Sequence, residues 1–230
     1  MNESSFGLID EAMTAMHKQP ERTSQEMERW EWKNEIIPRL RASGIDERYH
    51  SDKTGEWCCE PQERVFKLCL RLCAGNGAIV ALTGARGTGK TTIASQMILD
   101  RARNAELPQW DRQPPYRKLS DIVTRYKPLY ADFGSVNTDD LCAARDWYCR
   151  SLSLAIIDEI HECKDTKYGE RILTDILDRR YAARKDTILI SNEKTSDFEA
   201  NHSDSIQSRI SEHGRIIECN WQSWRAKEKL

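Results

Sequence analysis

Eight consecutive residues carry the sharpest chemistry in this chain. Gly84, Ala85, Arg86, Gly87, Thr88, Gly89, Lys90 and Thr91 match the pattern G-x-x-x-x-G-K-[ST] in full. Glycines at these places let backbone N–H groups curl around phosphate oxygens without a side-chain clash. A helix that starts here adds the partial positive charge of its N-terminus. Lys90 is expected to reach the β- and γ-phosphates, and Thr91 to place its hydroxyl on Mg²⁺. Thr92 follows directly and belongs to the same nucleotide-binding set. The cofactors implied are ATP and Mg²⁺. The plainer reading is a Gly-rich turn between a strand and a helix, which needs no such pattern.

A second group lies further along. The segment LAII ends in Asp158 and Glu159. Asp158, at the end of an apolar strand, is expected in the Mg²⁺ shell. Glu159 is expected to orient and deprotonate a water, as a general base. Two surface acids at a strand end are the alternative. Asn192 ends the next apolar run, TILIS, where an amide can bond both a γ-phosphate and a water. On its own it reads as a turn residue. Arg209 reads either as a salt-bridged surface arginine or as a finger reaching a neighbouring subunit's γ-phosphate. Arg225, in NWQSWR, contacts nucleotide or caps the fold.

These residues need a scaffold, and the chain alternates as one should. The apolar runs at 78–83, 116–119, 152–157, 187–191 and 215–219 read as strands. Helical segments at 90–103, 120–131, 138–149, 168–184 and 203–211 separate them. Pro61 opens a further helix, with Val65, Leu68, Cys69, Leu72 and Cys73 on its apolar face and Gly75 and Gly77 at its close. The fold class expected is α/β, with a five-stranded, mostly parallel sheet between helices. Residues 1–60 are polar and form a separate helical region with a linker. Helices are expected at 4–18 and 24–42, the second with Met27, Trp30, Asn34 and Ile37 on one face and ended or kinked by Pro38. Residues 42–59 read as the linker, and residues 61–230 as one domain.

Composition excludes several classes. At 230 residues, with 39% hydrophobic and 31% charged side chains, the chain can bury one full core. A net charge of −2 gives no global field toward nucleic acid or membrane, so any DNA contact must be local. No signal peptide and no apolar run of membrane-spanning length is visible, which points to the cytoplasm. The eight cysteines are scattered and read as free thiols. Cys58, Cys59, Cys69 and Cys73 have poor zinc spacing, and the last two suit a helix face.

GARGTGKT, IIDEI, TKYGERILTDILDRRY, ISN, QSRI and CNWQSWR together resemble the DnaC-type bacterial and phage helicase loaders. With the IstB-type transposition ATPases these form part of the initiator branch of the AAA+ superfamily. The resemblance covers roughly residues 75–226. It implies an AAA+ P-loop NTPase in which the sensor strand separates the Walker B strand from the P-loop strand. By position, Lys90 and Thr91 match Walker A, and Asp158 and Glu159 match Walker B. Asn192 matches sensor 1, Arg209 the arginine finger and Arg225 a sensor-2-like arginine. Only 38 residues follow Asn192, so a C-terminal lid must be small or absent.

The resemblance also implies partners: single-stranded DNA, a replicative hexameric helicase, and further copies of the chain across the ATP site. Lys127, Tyr130, Thr166 and Tyr168 mix cations with aromatics on the expected DNA path, the mix that pairs phosphates and stacks bases. An amphipathic helix with a solvated basic face is the alternative. Three functions stand: an ATPase that loads a helicase onto single strands, an IstB-like transposition helper acting on duplex DNA, and a small-molecule kinase. The Asp158-Glu159 pair favours hydrolysis, and no compact kinase lid is visible.

Overall fold

Contact density divides the chain into residues 1–38 and 39–230. The computed structural model describes residues 23–50, 57–103, 114–130, 138–163 and 168–223. In the first unit, helix α1 spans Ser24–Glu31. Thr23 and Glu26 form a capping box: the Glu26 N–H donates to Thr23 Oγ1, and the Thr23 N–H donates to Glu26 Oε2. Trp32–Ile36 is a π-helical turn, and α2 is Ile37–Ala42. Pro38 does not end the helix; it lies in the first turn of α2. The widened turn before it removes the clash a proline ring makes with the carbonyl four residues back. Met27 and Trp30, placed in sequence on an apolar face, are exposed. The helix expected at 4–18 lies outside the described residues.

The second unit is built on five strands: β1 Ile79–Thr83, β2 Tyr116–Lys118, β3 Leu154–Asp158, β4 Asp186–Ile190 and β5 Arg215–Glu218. Their spatial order is β2-β3-β4-β1-β5, and every neighbouring pair is parallel. The expected sheet is therefore present. β4, which leads to Asn192, lies between β3 and β1, as the resemblance implied. β1, β3 and β4 are buried along their whole length. That is why they read as unbroken apolar runs rather than alternating ones.

The helices are α3 Glu60–Leu72, α4 Lys90–Arg103, α5 Leu119–Tyr126, α6 Asp139–Arg150, α7 Gly169–Ala182, α8 Thr195–Asn201 and α9 Asp204–His213. α4 buries Ile93, Ala94, Met97, Ile98 and Ala102; α7 buries Ile172, Leu173, Ile176 and Leu177. At about 25 cal/mol per Å² of apolar surface, each Ile, Leu or Met among them contributes roughly 1.5–3 kcal/mol of transfer free energy. α5 stops five residues short of its expected end, because Pro128 offers no N–H to continue it. α8 was not expected: it is short, and Phe198 is its one buried residue. Residues 42–59, expected as linker, fall in the second unit, as does the end of the 24–42 helix from Arg39. Arg39 donates to Ala102 O at 2.6 Å, and Ser95 Oγ to Tyr49 O at 2.9 Å.

Candidate nucleotide site

The phosphate-loop residues leave β1 and enter α4, so they sit at the C-terminal end of the sheet. Gly84 turns the chain at φ +119°, and a Cβ there would lie 2.5 Å from Cys219 O. No other residue fits that approach. The Gly84 N–H donates to Glu193 O at 2.6 Å, which ties the loop to the end of β4. Ala85 and Arg86 are exposed, whereas Thr88 is buried and donates to Ala85 O at 3.0 Å.

Lys90 lies inside the loop, only 4% exposed. Its Nζ donates to Gly84 O at 2.6 Å and to Ala85 O at 2.8 Å. Burial pulls its ionisation below the ordinary lysine value, against the favourable charges of Asp158 and Glu159. One residue along, Thr91 Oγ1 donates to Asp158 Oδ2 at 3.2 Å. Asp158 is also buried and takes two more bonds: the Glu159 N–H at 2.7 Å on Oδ1 and the Tyr116 phenol at 2.6 Å on Oδ2. Burial first, then Asp158, raises the Tyr116 ionisation far above the ordinary value, so the phenol remains a donor.

Glu159 stands just past β3 at φ +55°, a left-handed conformation unusual outside glycine. Its Oε2 accepts from Asn192 Nδ2 at 2.8 Å. His161 approaches from the following turn, with Nε2 3.5 Å from the same oxygen and Nδ1 accepting from the Asn192 N–H at 3.5 Å. Thr91, Asp158, Glu159 and Asn192 therefore form one hydrogen-bonded group across the ends of the strands, with Lys90 next to Thr91 in the loop. A backbone-lined loop, a buried ammonium, a hydroxyl and two carboxylates suit an anion that arrives with a hard cation.

Three contributors escape sequence reading. Gln62 of α3 donates through Nε2 to Gly89 O at 3.3 Å and accepts the Cys58 N–H at 3.0 Å. Trp221 donates its indole N–H to Thr88 O at 2.8 Å. Tyr116 reaches Asp158 from β2. Of these, Trp221 had a signal: an indole N–H placed against a fold needs an acceptor.

A family model for the AAA domain matches residues 76–214. The chain belongs to that family. No curated protein sequence matches it. Among solved structures, this AAA domain is similar to the DnaC helicase loader, at 16% identity and TM-score 0.56 over 75% of this chain and 99% of that one. It is also similar to DnaI, at 13% identity and TM-score 0.56 over 80% and 98%. AMPPCP-bound DnaA from Aquifex aeolicus matches at 17% identity and TM-score 0.56 over 76% and 52%. The chain thus spans about half the length of the DnaA chain. At these identities the likeness is one of fold.

The remaining expected residues lie apart from this group or outside the described residues. Arg209 of α9 is engaged within its own chain: it pairs with Asp178 at 2.7 Å, donates to Ser205 O and Oγ, and packs over the Tyr181 ring. Lys127 Nζ lies 5.2 Å from the centre of the Tyr168 ring, so two of the four expected DNA residues meet. Tyr130 donates to Asp175 Oδ2, and the guanidinium groups of Arg145 and Arg171 lie 6.0 and 5.5 Å from its ring centre. Burial and the Asp175 bond push its phenol up to about 12. Thr166 and Arg225 lie outside the described residues.

Proposed function

We propose that this AAA domain binds ATP with Mg²⁺ on residues 84–92, hydrolyses it, and uses the cycle to load a replicative helicase onto single-stranded DNA. The observation that carries the reading is the group around Asp158. A hydroxyl and a carboxylate oxygen 3.2 Å apart lie beside a buried ammonium, with a second carboxylate held next to them by Asn192. Hydroxyl and carboxylate oxygens are the donors Mg²⁺ takes, so Thr91 and Asp158 fit the metal. When bound, Mg²⁺ supplies charge neutralisation of the phosphate oxygens.

The chain's own residues do the rest. Lys90 turns its ammonium from the loop carbonyls onto phosphate oxygens, and the loop N–H groups orient the same oxygens. Glu159 takes the proton of the attacking water on its carboxylate. Asn192 fixes that carboxylate through Nδ2. Arg209 leaves Asp178 to complete the site of a neighbouring copy, so nucleotide state governs self-association. Lys127, Tyr130, Thr166 and Tyr168 contact the DNA strand, and the N-terminal 60 residues engage the helicase. Support for the loading role is the sequence resemblance to DnaC-type loaders together with the shared fold.

The test is steady-state ATP hydrolysis at low salt, alone, with single-stranded DNA and with duplex DNA. Single strands are expected to stimulate turnover and duplex is not; stimulation by duplex alone would move the reading to a transposition helper. Glu159→Gln is expected to keep ATP affinity and lose turnover by about 10²–10⁴-fold. Lys90→Ala is expected to lose nucleotide binding. Arg209→Ala is expected to keep ATP affinity, lose turnover, and regain activity when mixed with Lys90→Ala. A fully active Glu159→Gln variant rejects the general base.

A further inference from the structure

Asp158 is held more firmly than a metal-shell carboxylate needs for its own burial. Its Oδ1 takes the next residue's N–H at 2.7 Å, and its Oδ2 takes Tyr116 Oη at 2.6 Å and Thr91 Oγ1 at 3.2 Å. The Thr91 donor belongs to the phosphate loop and would turn toward a cation. The Tyr116 donor does not belong to the loop. It comes from the neighbouring strand, in a register that makes the contact possible. Tyr116 pairs with Ile156, and Asp158 lies two residues further along β3 on the same face. A tyrosine side chain running along that face spans the two-residue rise of about 7 Å.

β2 is a three-residue edge strand, too short to hold a side chain to a fraction of an ångström by itself. A turn before it supplies the missing constraint. The Tyr116 N–H donates to Ser43 O at 3.0 Å. Gly44, at φ +83°, passes so close that a Cβ there would lie 2.5 Å from Tyr116 O. Ser43 is itself fixed, donating through Oγ to Leu40 O at 2.6 Å and accepting the Ile45 N–H at 3.2 Å. The Tyr116 N–H is thus bonded to the turn and its carbonyl is packed closely against Gly44, while its phenol donates to one carboxylate oxygen.

We propose that Tyr116, braced by the Ser43–Gly44 turn, is a positioning residue of the nucleotide site: its phenol aims the Asp158 carboxylate at the place where Mg²⁺ meets Thr91. The inference rests on the reading of this group as an Mg²⁺–nucleotide site. It predicts a dependence on metal rather than on nucleotide alone. A phenol serving only to pack would change stability and leave that dependence untouched.

The experiment is Tyr116→Phe, which keeps the ring and removes the O–H. A fluorescent non-hydrolysable ATP analogue is titrated onto full-length wild type and variant, in EDTA and across a Mg²⁺ series, with thermal unfolding recorded beside it. The Mg²⁺ concentration for half-maximal binding is expected to rise about 5-fold, the worth of one such hydrogen bond. Affinity in EDTA is expected to stay within twofold. A half-saturating Mg²⁺ concentration within twofold of wild type overturns the proposal. So does an equal loss of affinity with and without metal, since that is what a structural role gives. Wild-type binding indifferent to Mg²⁺ instead overturns the site reading itself, and is told apart because it appears without any substitution.

Discussion

Each end of the sheet buries an acid and a base, but the two ends satisfy them differently. At the N-terminal ends of the strands, Asp186 has no exposure and accepts the N–H groups of Gly75, Gly77 and Ala78 at 2.7–2.9 Å. Arg180, equally buried, donates to Tyr148 O, Leu152 O, Asp186 O and Thr187 Oγ1. Most of those partners are backbone atoms, fixed by the chain itself. At the C-terminal ends, Asp158 is held mainly by two hydroxyls, Glu159 by a side-chain amide, and Lys90 by carbonyls of a glycine-rich loop. The hydroxyls and the amide can rotate away, and the lysine side chain can swing off its carbonyls, so the charges at this end can take a ligand instead. Both ends carry a left-handed residue other than glycine: Glu159 at φ +55° at the exchangeable end and Arg184 at φ +51° at the fixed one.

The largest effect that would sharpen this contrast is at the fixed end. Asp186→Ala leaves the buried N–H groups of Gly77 and Ala78, and the Gly75 N–H, without an acceptor and Arg101 without its carboxylate, while Arg180 keeps its bond to the carbonyl of residue 186. Breaking a buried pair in this way costs about 3–5 kcal/mol. Denaturant unfolding is expected to report a loss of that size, and nucleotide binding per folded molecule is expected to persist. A cost below about 1 kcal/mol would break the comparison, because the two ends would then be energetically alike.

At the exchangeable end the expected sign reverses. Glu159 at φ +55° carries the left-handed penalty of a residue with a Cβ, about 1–2 kcal/mol. Glycine relieves it, less the extra entropy of a freer unfolded chain. Glu159→Gly is therefore expected to be more stable than Glu159→Gln by about 1 kcal/mol, with both inactive in turnover. Equal stabilities in a paired denaturation series would remove strain from the account of this site.

How far the sequence reveals these two ends differs in the same way. The exchangeable end was legible because its chemistry is local. Gly84 to Thr91 form one motif, and Asp158 and Asn192 each end an apolar run. The strand order followed from the resemblance, and β1, β3 and β4 from their unbroken apolar character. What stayed hidden depends on long-range register. Tyr116 meets Asp158 across 42 positions, and Asp186 meets Gly77 across 109. Asp186 lies just before the run read as a strand, and nothing nearby says that three N–H groups converge on it. Arg180 lies in the helix read at 168–184, and nothing nearby says that it is buried. Gln62 and Trp221 reach the loop from remote segments. At Pro38 the local rule expects an end or a kink, and the regular helix is interrupted just before it by a π turn that the sequence does not announce.

The smallest effect tests whether the contrast extends to a third carboxylate. Glu170, in the first turn of α7, accepts the Ser203 N–H at 3.0 Å and lies 3.2 Å from His202 Nδ1. Its partners are one backbone N–H and one buried side chain, so it lies between the two cases. Burial alone would raise its ionisation, but the bonds from His202 and Ser203 and the His202 charge outweigh that, and the carboxyl titrates below the ordinary 4.5. A lowered carboxyl binds fewer protons in the folded chain than in the unfolded one. Its contribution is therefore complete above pH 4.5 and is lost as pH falls through the lower folded value. Glu170→Gln removes that proton linkage. The variant's stability is expected to fall less steeply than wild type's as pH drops below about 4.5, by denaturant midpoints taken at successive pH values. Parallel slopes would mean that the Ser203 and His202 bonds do not favour the charged form, and that Glu170 behaves as an exchangeable partner like Glu159.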